Sequence, residues 1–284
     1  MITFNRILAF LFSLLAVNTA NAQLVYTAED SVTIEHLLRQ PSYGERGTLF
    51  FARQFLNRPY VAHTLEGNPV EMLVVNTREL DCTTLVETVV SLTLCSYRND
   101  TTFAAYCRQL QQLRYRHGRL DGYPSRLHYF SDWIRDNTRK GLIEEVQTPT
   151  SPFTAVQLLN INYMSQHPQS YEALRRQPGL LPVIAEQERR LTGLRFRYIP
   201  KHNVGNSREM HDAVADGDII AITTSKAGLD VAHLGFAVWR PDGLHLLNAS
   251  SIHHKVVIEP MTLGQYLDQH PSFTGIRVIK VLRP

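Results

Sequence analysis

Three residues of this 284-residue chain have the types and the order that thiol-based amide hydrolysis needs. Cys82 lies in Leu80-Asp81-Cys82-Thr83-Thr84, where a polar loop meets an apolar run. That run predicts a helix starting at the cysteine. A thiol in a first helical turn faces unpaired backbone N–H groups and the positive end of the macrodipole, which favours the reactive thiolate. Thr84-Leu85-Val86-Glu87 fits a capping box just inside that start. A thiolate needs a proton carrier, and His233 opens the strand pattern His233-Leu234-Gly235-Phe236-Ala237-Val238. Gly235 would let a helix or a substrate come close. Asn248 follows across Arg240-Pro241-Asp242-Gly243, a hairpin turn signal. Its amide oxygen can accept the ring N–H and fix the tautomer. His245, three residues earlier, would point to the opposite face of the strand. A Cys82–His233 ion pair would make the rate rise through a low thiolate pKa and fall where His233 loses its proton.

The other candidates for chemistry are weaker. Cys95 and Cys107 sit inside apolar helical patterns and read as core. Three cysteines make neither a disulfide scaffold nor a four-cysteine metal site. No H-E-x-x-H and no G-x-S-x-G occurs, which disfavours a zinc amidase and a serine hydrolase. No glycine-rich phosphate loop is present. The net charge of +3 is scattered, without a run of five Lys/Arg, so no nucleic-acid partner is expected. No metal or other cofactor is required.

Elements must bring these residues together. Helical patterns fall at 33–38, 44–55, 82–96, 103–115 and 126–139. The stretch 150–192 reads as polar and helical, punctuated by Pro152, Pro168, Pro178 and Pro182. A short apolar strand covers 71–76, and strand patterns follow at 196–199, 218–222, 233–239, 244–249, 255–258 and 276–282. Helices first and a strand meander second predict an α+β fold with an antiparallel sheet.

The N-terminus reads as an export signal. Arg6 precedes an apolar run at 7–17, and Ala20-Asn21-Ala22 gives a small-residue cleavage pattern. The run is short for a membrane span. Removal of residues 1–22 would leave 262 residues, 23–284, as one exported, periplasmic catalytic domain without a membrane anchor.

The motifs carry a resemblance. Asp81-Cys82-Thr83, Gly217-Asp218-Ile219-Ile220, His233-Leu234-Gly235-Phe236 and Asn248-Ala249-Ser250 resemble the NlpC-type cell-wall cysteine peptidases and amidases. The matches span about 65–96 and 195–284. The resemblance implies a papain-like core, a helix carrying the cysteine packed on an antiparallel sheet. It implies Cys82 as nucleophile, His233 as base and Asn248 as orienting residue. The sequence departs from the common pattern at Thr84, at Asn248 where histidine is usual, and in the 151 residues separating Cys82 from His233. Asp-Cys-Thr-Thr, the stretch 123–133 and a large helical insertion at 97–194 look like one branch of that family. That branch is associated with cleavage between N-acetylmuramic acid and L-alanine in muropeptides. Trp133, Tyr129 and His128 would then stack on or hydrogen-bond to sugar, Arg126 would meet a stem carboxylate, and Asp81, Thr83 and Ser250 would complete the substrate contacts. The competing readings are a γ-D-glutamyl endopeptidase, with Asp81 and Thr83 on a free amine, and a non-catalytic wall-binding module.

Overall fold

The computed structural model describes residues 24–40 and 47–283. The segment 1–22, read above as an export signal, lies outside the described residues. In chain order the elements begin with β1 (Leu24–Val25), α1 (Ala28–Arg39), α2 (Thr48–Arg53), β2 (Leu73–Val74), α3 (Cys82–Tyr97), α4 (Phe103–Arg114) and α5 (Phe130–Arg139). The middle holds β3 (Ile143–Glu145), β4 (Ala155–Leu158), α6 (Tyr163–Gln166), α7 (Glu172–Arg176), α8 (Leu181–Leu191) and β5 (Arg195–Pro200). The last third is α9 (Arg208–Ala213), β6 (Ile219–Thr224), β7 (Val231–Arg240), β8 (Gly243–Ser250), β9 (Lys255–Ile258), α10 (Leu263–Asp268) and β10 (Phe273–Val281). The fold is α+β.

One sheet runs β4-β5-β10-β6-β7-β8-β9, with β3 also on β10, and every pairing in it is antiparallel. Strand β6 shows how the sheet is used. Ile219 and Ala221 face the helical core of α1–α5, while Ile220 and Ile222 face a second core closed by α9 and α10. A strand buried on both faces reads as a continuous apolar run rather than an alternation. Helix α3 lies in the first core and is buried on all sides from Thr84 to Cys95. Its one charge there, Glu87, meets Arg114 of α4 at 2.6 Å, and the same guanidinium donates to the Val74 carbonyl at 2.6 Å. Breaking such a buried pair leaves an uncompensated charge, at a cost of about 3–5 kcal/mol.

The Gly217-Asp218 motif serves this architecture. Gly217 has φ +83°, and a Cβ there would fall on the Thr48 hydroxyl, which donates to the Gly217 carbonyl. Asp218 accepts the Ala215 N–H at 2.9 Å and closes the turn into β6.

Two expectations need correction. The segment 97–194 is not a purely helical insertion: it adds β3 and β4 to the main sheet. Strand β3 is short and acidic, and forms because Glu145 meets the buried Arg277 of β10 at 2.5 Å. In β4 the apolar Val156 and Leu158 are exposed at a sheet edge, so its alternation is inverted. The helix expected over 126–139 begins only at Phe130, because the extended Arg126 bridges to Tyr115. The remaining prolines behave as expected: Pro168, Pro178 and Pro182 open helical turns, where a missing N–H costs nothing. Among the described residues, no helix is long and apolar enough to cross a membrane.

Candidate active site

Cys82 is the first residue of α3. The capping box sits one turn earlier than Thr84–Glu87. Asp81 Oδ1 accepts the Thr84 N–H at 2.8 Å, and Thr84 Oγ1 accepts the Asp81 N–H at 2.9 Å. Glu87 cannot serve as the box's second member because it is buried on Arg114. The cap fixes where the helix begins, and so where the thiol stands.

Cys82 is half-buried, whereas Cys95 and Cys107 are buried. Burial, then the Asp81 carboxylate, push the Cys82 thiol up to about 12. The Thr83 hydroxyl and the N–H groups of Leu234 and Thr83 pull the other way and do not win. The resting sulfur is therefore a thiol, contrary to the thiolate expected from the helix start alone. Burial raises Cys95 and Cys107 to about 12 as well. Acidity does not single out Cys82; its place at a pocket wall does.

His233 lies on β7 at an irregularity. Ile222 pairs with His233 and Thr223 with Val231, so Ala232 is an extra residue. A bulge beside a site turns a side chain off the regular pleat. The start of β7 is tied down by Asp230, which accepts the N–H of Ser131 at 2.6 Å and of Val231 at 2.9 Å. Register does the rest. Phe236 pairs with Leu247, which puts Asn248 opposite Gly235 and one same-face step from His233. Gly235 does permit a close approach, but by β8: a Cβ would stand 2.6 Å from the Leu247 carbonyl oxygen. His233 Nε2 and Asn248 Oδ1 are 2.9 Å apart. His245, as expected, points away, with its ring on the Glu259 carbonyl and Asp242. Burial, partly offset by the Asn248 hydrogen bond, holds His233 below its ordinary 6.5, so the ring is neutral at neutral pH.

Cys82, Thr83, His233 and Leu234 line one pocket of about 160 Å³, with His128, Tyr129, Phe130, Met164, Tyr171 and Asp230 on its walls. A thiol, a neutral imidazole and a carboxamide in this order are the parts of an acyl-transfer site.

The other expected residues divide. Thr83 and His128 stand at the pocket. His128 Nε2 lies 3.0 Å from the Tyr123 carbonyl, and burial, with Arg126 nearby, drives its pKa down to about 3. Tyr129 gives the pocket only its ring, since its hydroxyl donates to Glu188 at 2.6 Å. Asp81 spends its Oδ1 on the helix cap. Arg126 is not at the pocket: Glu66 and Glu71 hold it at 2.8 and 2.9 Å beside a separate hollow. Trp133 is 1% exposed and stacks on Phe130, so it is core. Ser250 is buried at the end of β8, where its hydroxyl accepts the His253 N–H at 3.3 Å. The structure also adds residues the motifs did not mark. Met164 and Tyr171 reach the pocket from the 97–194 segment, and Glu259 lies behind Asn248. An acidic residue closing the apolar run 256–258 is the one local signal for Glu259. Among the described residues, no group of three or more His, Cys, Asp or Glu is placed to hold a metal ion.

Comparison with known proteins gives the family and the fold. A crystal structure of an N-acetylmuramoyl-L-alanine amidase from Bacteroides uniformis is 41% identical, with TM-score 0.78, over 85% of this chain and 100% of that one. A Bacteroides fragilis protein provisionally named a xylanase is 42% identical, with TM-score 0.77, over 82% of this chain and 100% of that one. A Legionella pneumophila protein at 23% identity shares the fold, with TM-score 0.68, over 89% of this chain and 95% of that one. A search of curated proteins returns no match. The AmiA-like model, described as N-acetylmuramoyl-L-alanine amidase-like, matches residues 50–276, and the chain belongs to that family.

Proposed function

We propose that this protein is a cysteine amidase with a papain-like, NlpC-type core, which cleaves the bond between N-acetylmuramic acid and L-alanine in peptidoglycan fragments. The observation that carries the reading is the 2.9 Å contact of His233 Nε2 with Asn248 Oδ1, in a ring that shares a pocket with the helix-start thiol of Cys82. His233 takes the thiol proton as Cys82 attacks the lactyl carbonyl. The ring then gives that proton to the departing L-alanine amine. Water, deprotonated by the same ring, hydrolyses the thioester and frees the muramic acid carboxylate. First-turn N–H groups of α3 face the developing oxyanion, each worth about 3 kcal/mol in comparable sites. The first 22 residues are read as an export signal, so the enzyme acts outside the cytoplasm.

A glycosidase, as the provisional xylanase name of one relative suggests, needs two carboxyl groups across the scissile bond. Among the described residues, Asp230 is the single carboxylate on the pocket wall, and both its oxygens accept backbone N–H groups. The endopeptidase alternative needs Asp81 to bind a free amine through the same carboxylate whose Oδ1 caps α3. Incubation with muropeptides followed by mass analysis of the products tests the proposal. Free stem peptide supports it, and a disaccharide-dipeptide product overturns it. Activity that survives Cys82→Ala overturns the cysteine mechanism.

A further inference from the structure

Behind Asn248 runs a chain of hydrogen bonds that the triad does not use. Asn248 Nδ2 donates to Glu259 Oε1 at 2.8 Å and to the Leu246 carbonyl at 3.4 Å. Glu259 is 1% exposed, just past the end of β9. Its second oxygen, Oε2, lies 3.1 Å from Nε2 of His253, which is partly open to solvent. Its own N–H donates to the Leu246 carbonyl at 2.9 Å, and its carbonyl receives the His245 ring at 2.9 Å. Both carboxylate oxygens and both backbone polar groups of Glu259 are thus engaged.

The consequence is chemical. An ionised carboxylate and a peptide carbonyl only accept, so the end of Asn248 facing both must be its NH₂. Turning the amide over would set Oδ1 against two acceptors in a buried site, which is costly. Oδ1 must therefore face His233, and an oxygen there requires a proton on Nε2. In a neutral ring this leaves Nδ1 bare as the proton acceptor.

We propose that Glu259 is a positioning residue that selects the His233 tautomer through Asn248. It fixes the amide, the amide fixes the ring proton on Nε2, and Nδ1 is thereby kept free to take the proton of Cys82. This rests on the reading of His233 as the base. The carboxylate also acts on the ring through its charge, which favours protonation of His233, as does Asp81, while His270 opposes it. The titratable groups facing Glu259 are His253, the ring of His245 and Tyr266.

The test is a swap. In the full chain, Glu259→Gln keeps the shape but lets either amide end face Asn248. Asn248→Asp sets two carboxylates against each other. The double variant Asn248→Asp with Glu259→Gln restores the pattern, because the glutamine NH₂ donates to Asp and Asp accepts from His233. The readouts are the ring ¹⁵N spectrum of His233, assigned by its loss in His233→Gln, and muropeptide hydrolysis against pH. The wild type should carry its proton on Nε2. Glu259→Gln should show mixed tautomers, lose about 10–100-fold in kcat with little change in KM, and move the rising limb to lower pH. The double variant should regain the Nε2–H form and at least about tenfold of the activity of Asn248→Asp, with its limb at higher pH because the charge now touches the ring. Pure Nε2–H with unchanged kcat in Glu259→Gln, or a double variant no better than Asn248→Asp, would overturn the proposal. If Glu259→Gln does not fold, the swap alone decides. Because the tautomer is read without substrate, a wild type holding Nε2–H but lacking amidase activity would sink the functional reading and leave this assignment standing.

Discussion

The two walls of the pocket are built on different terms. On one wall, α3 and β7–β9 bring the polar groups into a single hydrogen-bonded line from His233 through Asn248 to Glu259 and His253. On the other, three polar and aromatic side chains of the 97–194 segment are spent on structural partners. Arg126 is locked between Glu66 and Glu71, Tyr129 donates to Glu188, and Trp133 stacks on Phe130 in the core. The first wall is arranged for chemistry. The second is arranged to hold its own shape, and it offers the pocket chiefly the His128 ring, Met164 and Tyr171.

That contrast can be broken by mutation, starting with the largest effect. Cys82→Ala should abolish amide hydrolysis, by about 10⁴-fold or more, with an unchanged melting transition; residual activity above a hundredth would move the nucleophile elsewhere. On the opposite wall, Trp133→Ala should cost about 3–5 kcal/mol of stability through the cavity it leaves, while the folded fraction keeps near-normal kcat and KM. A specific rise in KM without loss of stability would return Trp133 to the substrate. Arg126→Ala should likewise act on stability, by about 3–5 kcal/mol, because it strands Glu66 and Glu71. Denaturant titration beside steady-state kinetics separates the two kinds of effect for both variants.

A smaller effect concerns pH. The neutral ring is the form that accepts the thiol proton, and burial lowers the His233 pKa. The rate should therefore rise with pH through a value below 6.5 and stay high beyond it. The thiol, pushed up to about 12, adds no falling limb in the neutral range. A fall between about pH 7 and 9 would instead indicate a resting thiolate–imidazolium pair. The smallest difference is in labelling. Iodoacetamide should modify Cys82 before the buried Cys95 and Cys107, though slowly for a site cysteine; peptide mapping reads the order.

The same contrast explains what could be read from the sequence. Cys82, His233 and Asn248 were legible because local rules fix them: a helix start, a strand start and a hairpin register. The last-third strands were legible for the same reason, being apolar runs bounded by turns. Strand β3 was hidden because its two glutamates are strand residues only against β10, where Glu144 pairs with Lys280 and Glu145 reaches Arg277. The roles of Arg126 and Trp133 were hidden because partners 55 and more residues away, or a core not yet assembled, decide whether a side chain is spent or available. The thiol's acidity was misjudged because the helix start is a local feature and burial is not. Glu259 was hidden because its importance exists only after β8 and β9 pair.

The central claim is that Cys82 carries the muramoyl group during turnover. Acid quenching of the enzyme with N-acetylmuramoyl-L-alanyl-D-isoglutamine, followed by intact mass and peptide mapping, tests it directly. A thioester on the Cys82 peptide bearing the N-acetylmuramoyl moiety is expected. An adduct on any other residue, or one bearing the L-alanyl-D-glutamyl portion, would contradict it.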